Sequence, residues 1–120
     1  MIRVFQMKML DKGAEGYDEW LNAFRSTTAF GSKLFEDYML DLYDYKASLN
    51  TTDLENAFQI MNRWSDEDKK LIDWIDKGAT KSMSVGDILE LEVDANVRTY
   101  MVDGYGFTEI RKAMINGFAV

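Results

Sequence analysis

Apolar and polar residues alternate near the start of the chain, over residues 3–10. In an extended chain Phe5, Met7 and Met9 lie on one side, which makes that side fully apolar. A period of two with one apolar face is typical of a half-buried β-strand. We therefore expect a strand here, ended by the turn-forming residues 11–13.

The period changes to that of a helix over residues 15–24. Trp20, Leu21 and Phe24 share one apolar face at this spacing. Residues 26–28 are serine and threonine, which are common in loops. The pattern thus predicts a short helix followed by a loop.

The stretch over residues 39–47 fits two structures. Its tyrosines favour a strand, whereas its first apolar residues continue a helical spacing from the residues before them. We favour the strand. On that interpretation four residues share one face: Met39, Asp41, Tyr43 and Tyr45.

Two helix starts follow, each with the residue spacing of a capping box. In such a box a serine or threonine and an acidic residue three positions later satisfy each other's backbone N–H groups. Thr52 and Glu55 mark the first start, and Ser65 and Asp68 mark the second. The second helix is expected over residues 66–77, where lysines and aspartates four positions apart form a self-neutralising, solvent-exposed face.

Alternation returns in the last third of the chain, where three apolar residues alternate with three acidic ones: Leu89, Leu91 and Val93 with Glu90, Glu92 and Asp94. A turn over residues 94–96 and a returning strand over residues 99–102 complete a β-hairpin. Together these elements predict an α+β fold in one domain, residues 1–120. We expect a small antiparallel sheet of about four strands, with two to four helices packed on one face.

The composition removes several kinds of chemistry. The 120-residue chain contains no histidine and no cysteine, so histidine bases, thiolate nucleophiles and thiolate zinc sites are excluded within one chain. The acids that remain as possible ligands of a metal-dependent hydrolase are Asp41, Asp44, Glu90 and Asp103. Their spacing does not match an ordered metal-binding motif. We therefore predict no enzymatic activity, no metal site and no cofactor.

The formal net charge of −7 bears on the choice of partner. It argues against direct binding of nucleic acid, since affinity for phosphates comes from lysine and arginine. A protein with a basic surface is the better electrostatic match, although charge of this size also serves solubility alone. Because no stretch approaches the ~18 apolar residues of a membrane span, we expect a cytoplasmic protein without a membrane partner.

The last third also carries a motif of small and aromatic residues. A serine step leads into a strand, and the paired strand ends in an aspartate shortly before Gly-Phe. The residues concerned are Ser82, Ser84, Val85, Asp87, Tyr100, Asp103, Gly106, Phe107, Glu109 and Ile110. In these residues the chain resembles the YodL-like domain family of phages, plasmids and conjugative elements. The resemblance implies an accessory protein of a mobile element, and some proteins of this kind occur beside antirestriction functions.

The hairpin and the tyrosine-rich strand supply the candidate binding residues. Glu90, Glu92 and Asp94 form an acidic stripe along a strand, and Tyr43 and Tyr45 are of a type common at protein interfaces. Two structural alternatives stay open. Like charges along a strand discourage edge-to-edge pairing, and strand aromatics commonly pack in the core. We predict that these five residues form a partner-binding surface.

These features predict a non-enzymatic phage or mobile-element protein in the bacterial cytoplasm. It binds and inhibits a host defence protein with a basic surface, through the acidic and aromatic residues. The alternative is an assembly module of a mobile element that self-associates through the apolar residues 114–120. The oligomeric state stays open between the two.

Overall fold

The computed structural model describes residues 1–78 and 81–111, which fold around one β-sheet. The strands are β1 (Ile2–Met7), β2 (Tyr43–Leu49), β3 (Ile72–Trp74), β4 (Ile88–Val93), β5 (Asn96–Asp103) and β6 (Gly106–Arg111). The α-helices are α1 (Tyr17–Phe30), α2 (Leu54–Arg63) and α3 (Asp66–Lys69). Two 3-10 helical segments, Gly31–Leu34 and Asp37–Leu42, connect α1 to β2.

Among the described residues, six strands lie in the order β3-β2-β1-β4-β5-β6, and every neighbouring pair is antiparallel. The α+β class and the antiparallel sheet are confirmed, but the expected number of about four strands is too low. The additional strands are the two outer ones. β3 has three residues, and β6 begins after a two-residue turn that follows β5, so neither gives a long alternation in the sequence.

Helices pack on both faces of the sheet, not on one face as expected. β1 shows the reason, because its side chains alternate between two separate hydrophobic clusters. Ile2 and Val4 join the cluster that α2 completes, whereas Phe5 and Met7 join the cluster that α1 completes. The strand predicted to be half-buried is therefore a central strand with apolar packing on either side.

α1 is longer than predicted and includes residues 26–28, where a loop is expected. Thr27 explains the difference. Its hydroxyl donates to the backbone carbonyl of Ala23 at 3.0 Å, so the polar group is satisfied within the helix while the side chain is buried. The helix ends at Gly31, whose φ of 59° lies in the left-handed region that favours glycine.

The strand expected over residues 39–47 begins four residues later, at Tyr43. The preceding Asp37–Leu42 forms a 3-10 segment instead, so the predicted four-residue face does not form. β2 also contains a β-bulge at Lys46, since Tyr45 pairs with Phe5 while Ala47 pairs with the preceding Val4. Because paired residues share a face, the bulge places Ala47 on the face of Val4 and Tyr45 on the opposite face, with Phe5.

α2 begins where expected, but its cap is Asp53 rather than Thr52. The Asp53 carboxylate accepts hydrogen bonds from the backbone N–H groups of Glu55 and Asn56, at 2.9 and 3.2 Å. An ionised carboxylate is a strong cap because it also interacts favourably with the positive end of the helix dipole.

The helix expected over residues 66–77 is wrong beyond its first turn. The capping box of Ser65 and Asp68 is present, yet α3 ends at Lys69. Ile72–Trp74 then forms β3 beside β2, and its two apolar residues pack against the cluster on the α2 face. Strand pairing and this packing outweigh the helical spacing, so the self-neutralising face does not form.

β4 and β5 form the predicted hairpin, in which Val93 pairs with Asn96 across a turn of two residues. Asp94 in this turn has a φ of 57°, a left-handed conformation that aspartate tolerates better than most residues. Within the described ranges, no helix has the length and apolar character needed to cross a bilayer. Residues 114–120, predicted to self-associate, lie outside the described residues.

Candidate protein-binding surface

Arg3 connects the predicted acidic stripe to the centre of the sheet. It lies on β1 opposite Glu90 of β4. Its guanidinium donates to Glu90 Oε1 and to Glu92 Oε1, both at 2.7 Å. The two glutamates are two positions apart in one strand, so they share a face and reach the same guanidinium. Arg3 thus neutralises part of the stripe.

Glu90 is fully buried, with 0% of its surface exposed. Its Oε2 atom has no hydrogen-bond partner among the residues that the structure describes. Burial raises the pKa of Glu90, and the Arg3 guanidinium acts against this rise. A carboxylate in this position has no accessible surface for a partner, which corrects the expectation that Glu90 belongs to an exposed stripe.

Glu92 and Asp94 keep the tip of the hairpin acidic. The Glu92 side chain is 37% exposed beside Arg3, and Asp94 is exposed in the β4–β5 turn. Val93 lies between them and is 42% exposed, so the tip also presents an apolar side chain. The accessible part of the stripe is therefore the hairpin tip, residues 92–94.

The two tyrosines lie on β2, which β1 separates from β4. Tyr43 is buried, and its hydroxyl donates to the backbone carbonyl of Gly86 at 2.5 Å. Tyr45 is half-buried; its ring stacks on Phe5 with centroids 5.2 Å apart, and its hydroxyl shares a hydrogen bond with Ser48. The five predicted residues therefore do not form one continuous exposed surface.

A buried polar cluster surrounds Asp87, which directly precedes β4. Its Oδ2 accepts hydrogen bonds from the Ser84 backbone N–H and the Gln6 side-chain amide, both at 3.0 Å. The Gln6 amide also pairs with the Lys81 backbone, donating to its carbonyl at 2.9 Å and accepting from its N–H at 3.3 Å. Burial raises the pKa of Asp87 to about 6, although these hydrogen bonds and the Lys81 charge act in the other direction. The cluster fixes the loop before β4 to β1.

Asp103 fixes the end of β5 in a similar way. Its carboxylate accepts hydrogen bonds from the Ser32 backbone N–H at 2.8 Å, from the Ser32 hydroxyl at 2.6 Å and from the Thr108 hydroxyl. Partial burial acts to raise the pKa of Asp103, but these hydrogen bonds outweigh it and lower the pKa. A Cβ at Gly31 would lie 1.8 Å from Asp103 Oδ1, so the close approach requires glycine.

The acids considered as a metal site do not lie together. Asp44 pairs with Lys8 at 3.7 Å, Glu90 with Arg3, and Asp103 with Ser32 and Thr108. Within residues 1–78 and 81–111, no group of three or more acidic side chains is placed to hold a metal ion.

Comparison with known proteins identifies a family. The family model described as the YodL-like domain matches residues 1–112. The chain belongs to the YodL-like domain family. No curated protein and no solved structure matches the chain. The match extends from β1 to β6, well beyond the hairpin residues in which the resemblance is visible by eye.

In this YodL-like domain the motif residues have structural roles. Asp87 closes the loop that starts at Ser84, and Asp103 attaches the β5–β6 turn to the segment after α1. Gly106 has a φ of 82°, as expected for a turn glycine, whereas Gly104 does not adopt a left-handed conformation. The motif thus marks the residues that fix the ends of β4 and β5.

Two residues of β1 that organise these clusters, Arg3 and Gln6, are absent from the sequence-based prediction. Both are polar residues in an otherwise apolar strand, which is a usable signal, because a polar side chain in a central strand requires a partner. The identity of that partner depends on the register between β1 and β4, which no local pattern contains.

Proposed function

We propose that this YodL-like domain is a non-enzymatic accessory protein of a phage or mobile element that binds and inhibits a host defence protein. The partner presents a basic surface, and the hairpin tip, residues 92–94, takes part in the contact. The observation that carries the proposal is the excess of acids, 21 against 14 lysines and arginines. A charge of this sign favours encounter with a basic protein and disfavours contact with nucleic acid.

The hairpin tip is held in place before any partner arrives. The N-terminal ammonium group of Met1 donates to the Glu92 carbonyl at 3.0 Å, and the Glu92 N–H donates to the Met1 carbonyl at 2.9 Å. Arg3 of the neighbouring strand β1 holds the Glu92 side chain. A preorganised acidic tip loses little conformational entropy on binding, which supports a role in recognition.

Affinity capture from a bacterial lysate at low and at high salt, followed by titration of the purified captured protein, tests this function. The test variant combines Glu92→Lys with Asp94→Asn, because asparagine tolerates the left-handed conformation of the turn. We expect at least about a tenfold loss of affinity at low salt and a weaker dependence of affinity on salt.

A matched control carries the same change in net charge elsewhere. Glu67→Lys combined with Asp66→Asn alters two exposed acids of α3, and we expect a smaller loss of affinity from it. Equal losses in both variants would mean that only the net charge matters. Unchanged binding of the hairpin variant would remove residues 92–94 from the interface.

A further inference from the structure

Three large apolar side chains are exposed around one junction of the fold. Phe30 is 56% exposed, Leu34 is 51% exposed, and Tyr105 is exposed as fully as in an extended chain, at 102%. The junction is the hydrogen-bonded pair of Ser32 and Asp103. Each of the three apolar residues lies two positions from one member of this pair. The pair joins the segment after α1 to the end of β5.

The turn that carries Tyr105 is firmly held. Asp103 before it binds both Ser32 and Thr108, and Gly106 after it supplies the positive φ that closes the turn. Side chains that are exposed singly need no explanation. Here an aromatic side chain is displayed from a fixed turn, and the Ser32–Asp103 hydrogen bonds join that turn to the segment that carries Phe30 and Leu34, which indicates an interaction site. Tyrosine is also among the residues that contribute most to protein interfaces.

The shape of this region fits a protein and not a small ligand. A groove of about 160 Å³ lies beside the turn on the α2 side, with Glu55, Phe58 and Phe107 among its lining residues. This volume is well below the ~300 Å³ or more of typical ligand pockets, but it accommodates a side chain. A protruding ring next to a shallow groove is complementary to a folded partner surface that has a pocket for the ring and a projecting side chain for the groove.

Charge decides between the candidate partners. Lys33, Glu36 and Asp37 are exposed near Leu34 and together leave one net negative charge there, which has the same sign as the net charge of −7 that sets the long-range field. That field repels a second copy of the chain and an anionic lipid surface, and it attracts a basic protein.

We propose that Phe30, Leu34 and Tyr105 form a docking patch that inserts the Tyr105 ring into an apolar pocket of a basic partner protein. The proposal rests on the proposed protein-binding function, but it uses the opposite end of β5 from the hairpin tip, about 25 Å away for a strand of this length. The two surfaces can therefore be tested separately.

Site-specific photocrosslinking in a bacterial lysate provides the test. The photoreactive residue benzoylphenylalanine replaces Tyr105 in the full chain, and in a matched control it replaces Tyr38, which is also exposed, at 47%. We expect a discrete protein adduct from position 105, at a yield at least about tenfold above that from position 38. Excess unlabelled wild-type protein should abolish the adduct, whereas the Phe30→Ser/Tyr105→Ser variant should not compete.

Three results would overturn the proposal. These are no adduct at position 105 above that at position 38, equal competition by the wild type and the double variant, or an adduct with twice the mass of the chain, which would assign the patch to self-association. The urea midpoint of the double variant verifies its fold, which exposed substitutions should leave intact. The Glu92→Lys/Asp94→Asn titration reports on the hairpin tip independently, so failure of one surface is distinguishable from failure of the other.

Discussion

At the scale of single residues, Asp87 shows the energetic cost of a carboxylate inside a small protein. The side chain is buried, and the hydrogen bonds from Ser84 and Gln6 compensate only part of the cost of burying its charge. Its pKa is therefore raised to about 6. An amide of the same shape keeps an acceptor oxygen for both donors without placing a charge in the interior.

Asp87→Asn is expected to remove a pH-dependent part of the folding stability. Between the ordinary pKa of 3.8 and a folded-state pKa of about 6, the folded chain holds a proton that the unfolded chain has released. The wild-type protein therefore loses stability as the pH rises through this window. For a shift of roughly two units the loss relative to the variant is about 3 kcal/mol, measured by urea unfolding across the window.

Comparing the wild type with the Asp87→Asn variant separates the effect of Asp87 from that of other acids with shifted pKa values. The pKa of Glu90 is raised, and those of Asp68 and Asp103 are lowered, but all three acids are present in both proteins. Parallel stability curves for the wild type and the variant would show that folding does not raise the pKa of Asp87.

At the scale of elements, the contact of Arg3 with Glu90 is a buried polar link between β1 and β4 in the middle of the sheet. The Arg3 side chain is 14% exposed and that of Glu90 0%. An ion pair this far from water contributes little net stability, yet removing one partner leaves an uncompensated buried charge.

Arg3→Leu is thus expected to destabilise the protein by about 3 kcal/mol or more, since Glu90 loses its partner. The Arg3→Leu/Glu90→Leu double variant should regain a large part of that stability, because neither charge remains in the interior. Urea unfolding of both variants, with Glu90→Leu alone to complete the cycle, gives the coupling energy. If the double variant were as unstable as Arg3→Leu, the loss would come from packing and not from the unpaired carboxylate.

The same element scale shows what the sequence can predict. The β4–β5 hairpin and the capping box at Ser65 depend on residues close together in the chain, and both are correctly predicted. Ile72–Trp74 is wrongly predicted as helix because its strand structure comes from pairing with β2, more than twenty residues earlier. The sheet and its class follow from local periodicity, whereas the outer strands and the use of both faces follow from tertiary packing.

The same difference between local and long-range signals applies to the residues of the candidate surface. Glu92 and Asp94 are correctly placed near a hairpin tip, since alternation and turn residues are local signals. Glu90 belongs to the same alternating pattern, but it is buried and pairs with Arg3, which is distant in the sequence. Polarity in a strand therefore predicts a need for partners, and the partner can be an arginine across the sheet as readily as water.

At the scale of the whole molecule, the topology makes β1 the centre of the structure. β1 has strands on both sides and apolar packing from α1 on one face and α2 on the other. In the part of the chain that the structure describes, β3 pairs with β2 alone, and it has only three residues. Opening the edge of the sheet at β3 breaks few contacts, whereas exposing the amides of β1 requires the separation of both clusters.

Hydrogen exchange of the backbone amides is expected to follow this order. The hydrogen-bonded amides of β1 and β4 should exchange only through global unfolding, with a strong dependence on urea concentration. Those of β3 should exchange at least about tenfold faster, which corresponds to an opening free energy lower by about 1.4 kcal/mol, and with little dependence on urea. Equal protection of β3 and β1 would mean that the edge strand opens only with the core. Binding of a partner elsewhere on the sheet would then stabilise the whole sheet as one cooperative unit. If β3 opens separately, such binding would stabilise the central strands and leave the opening of β3 unchanged.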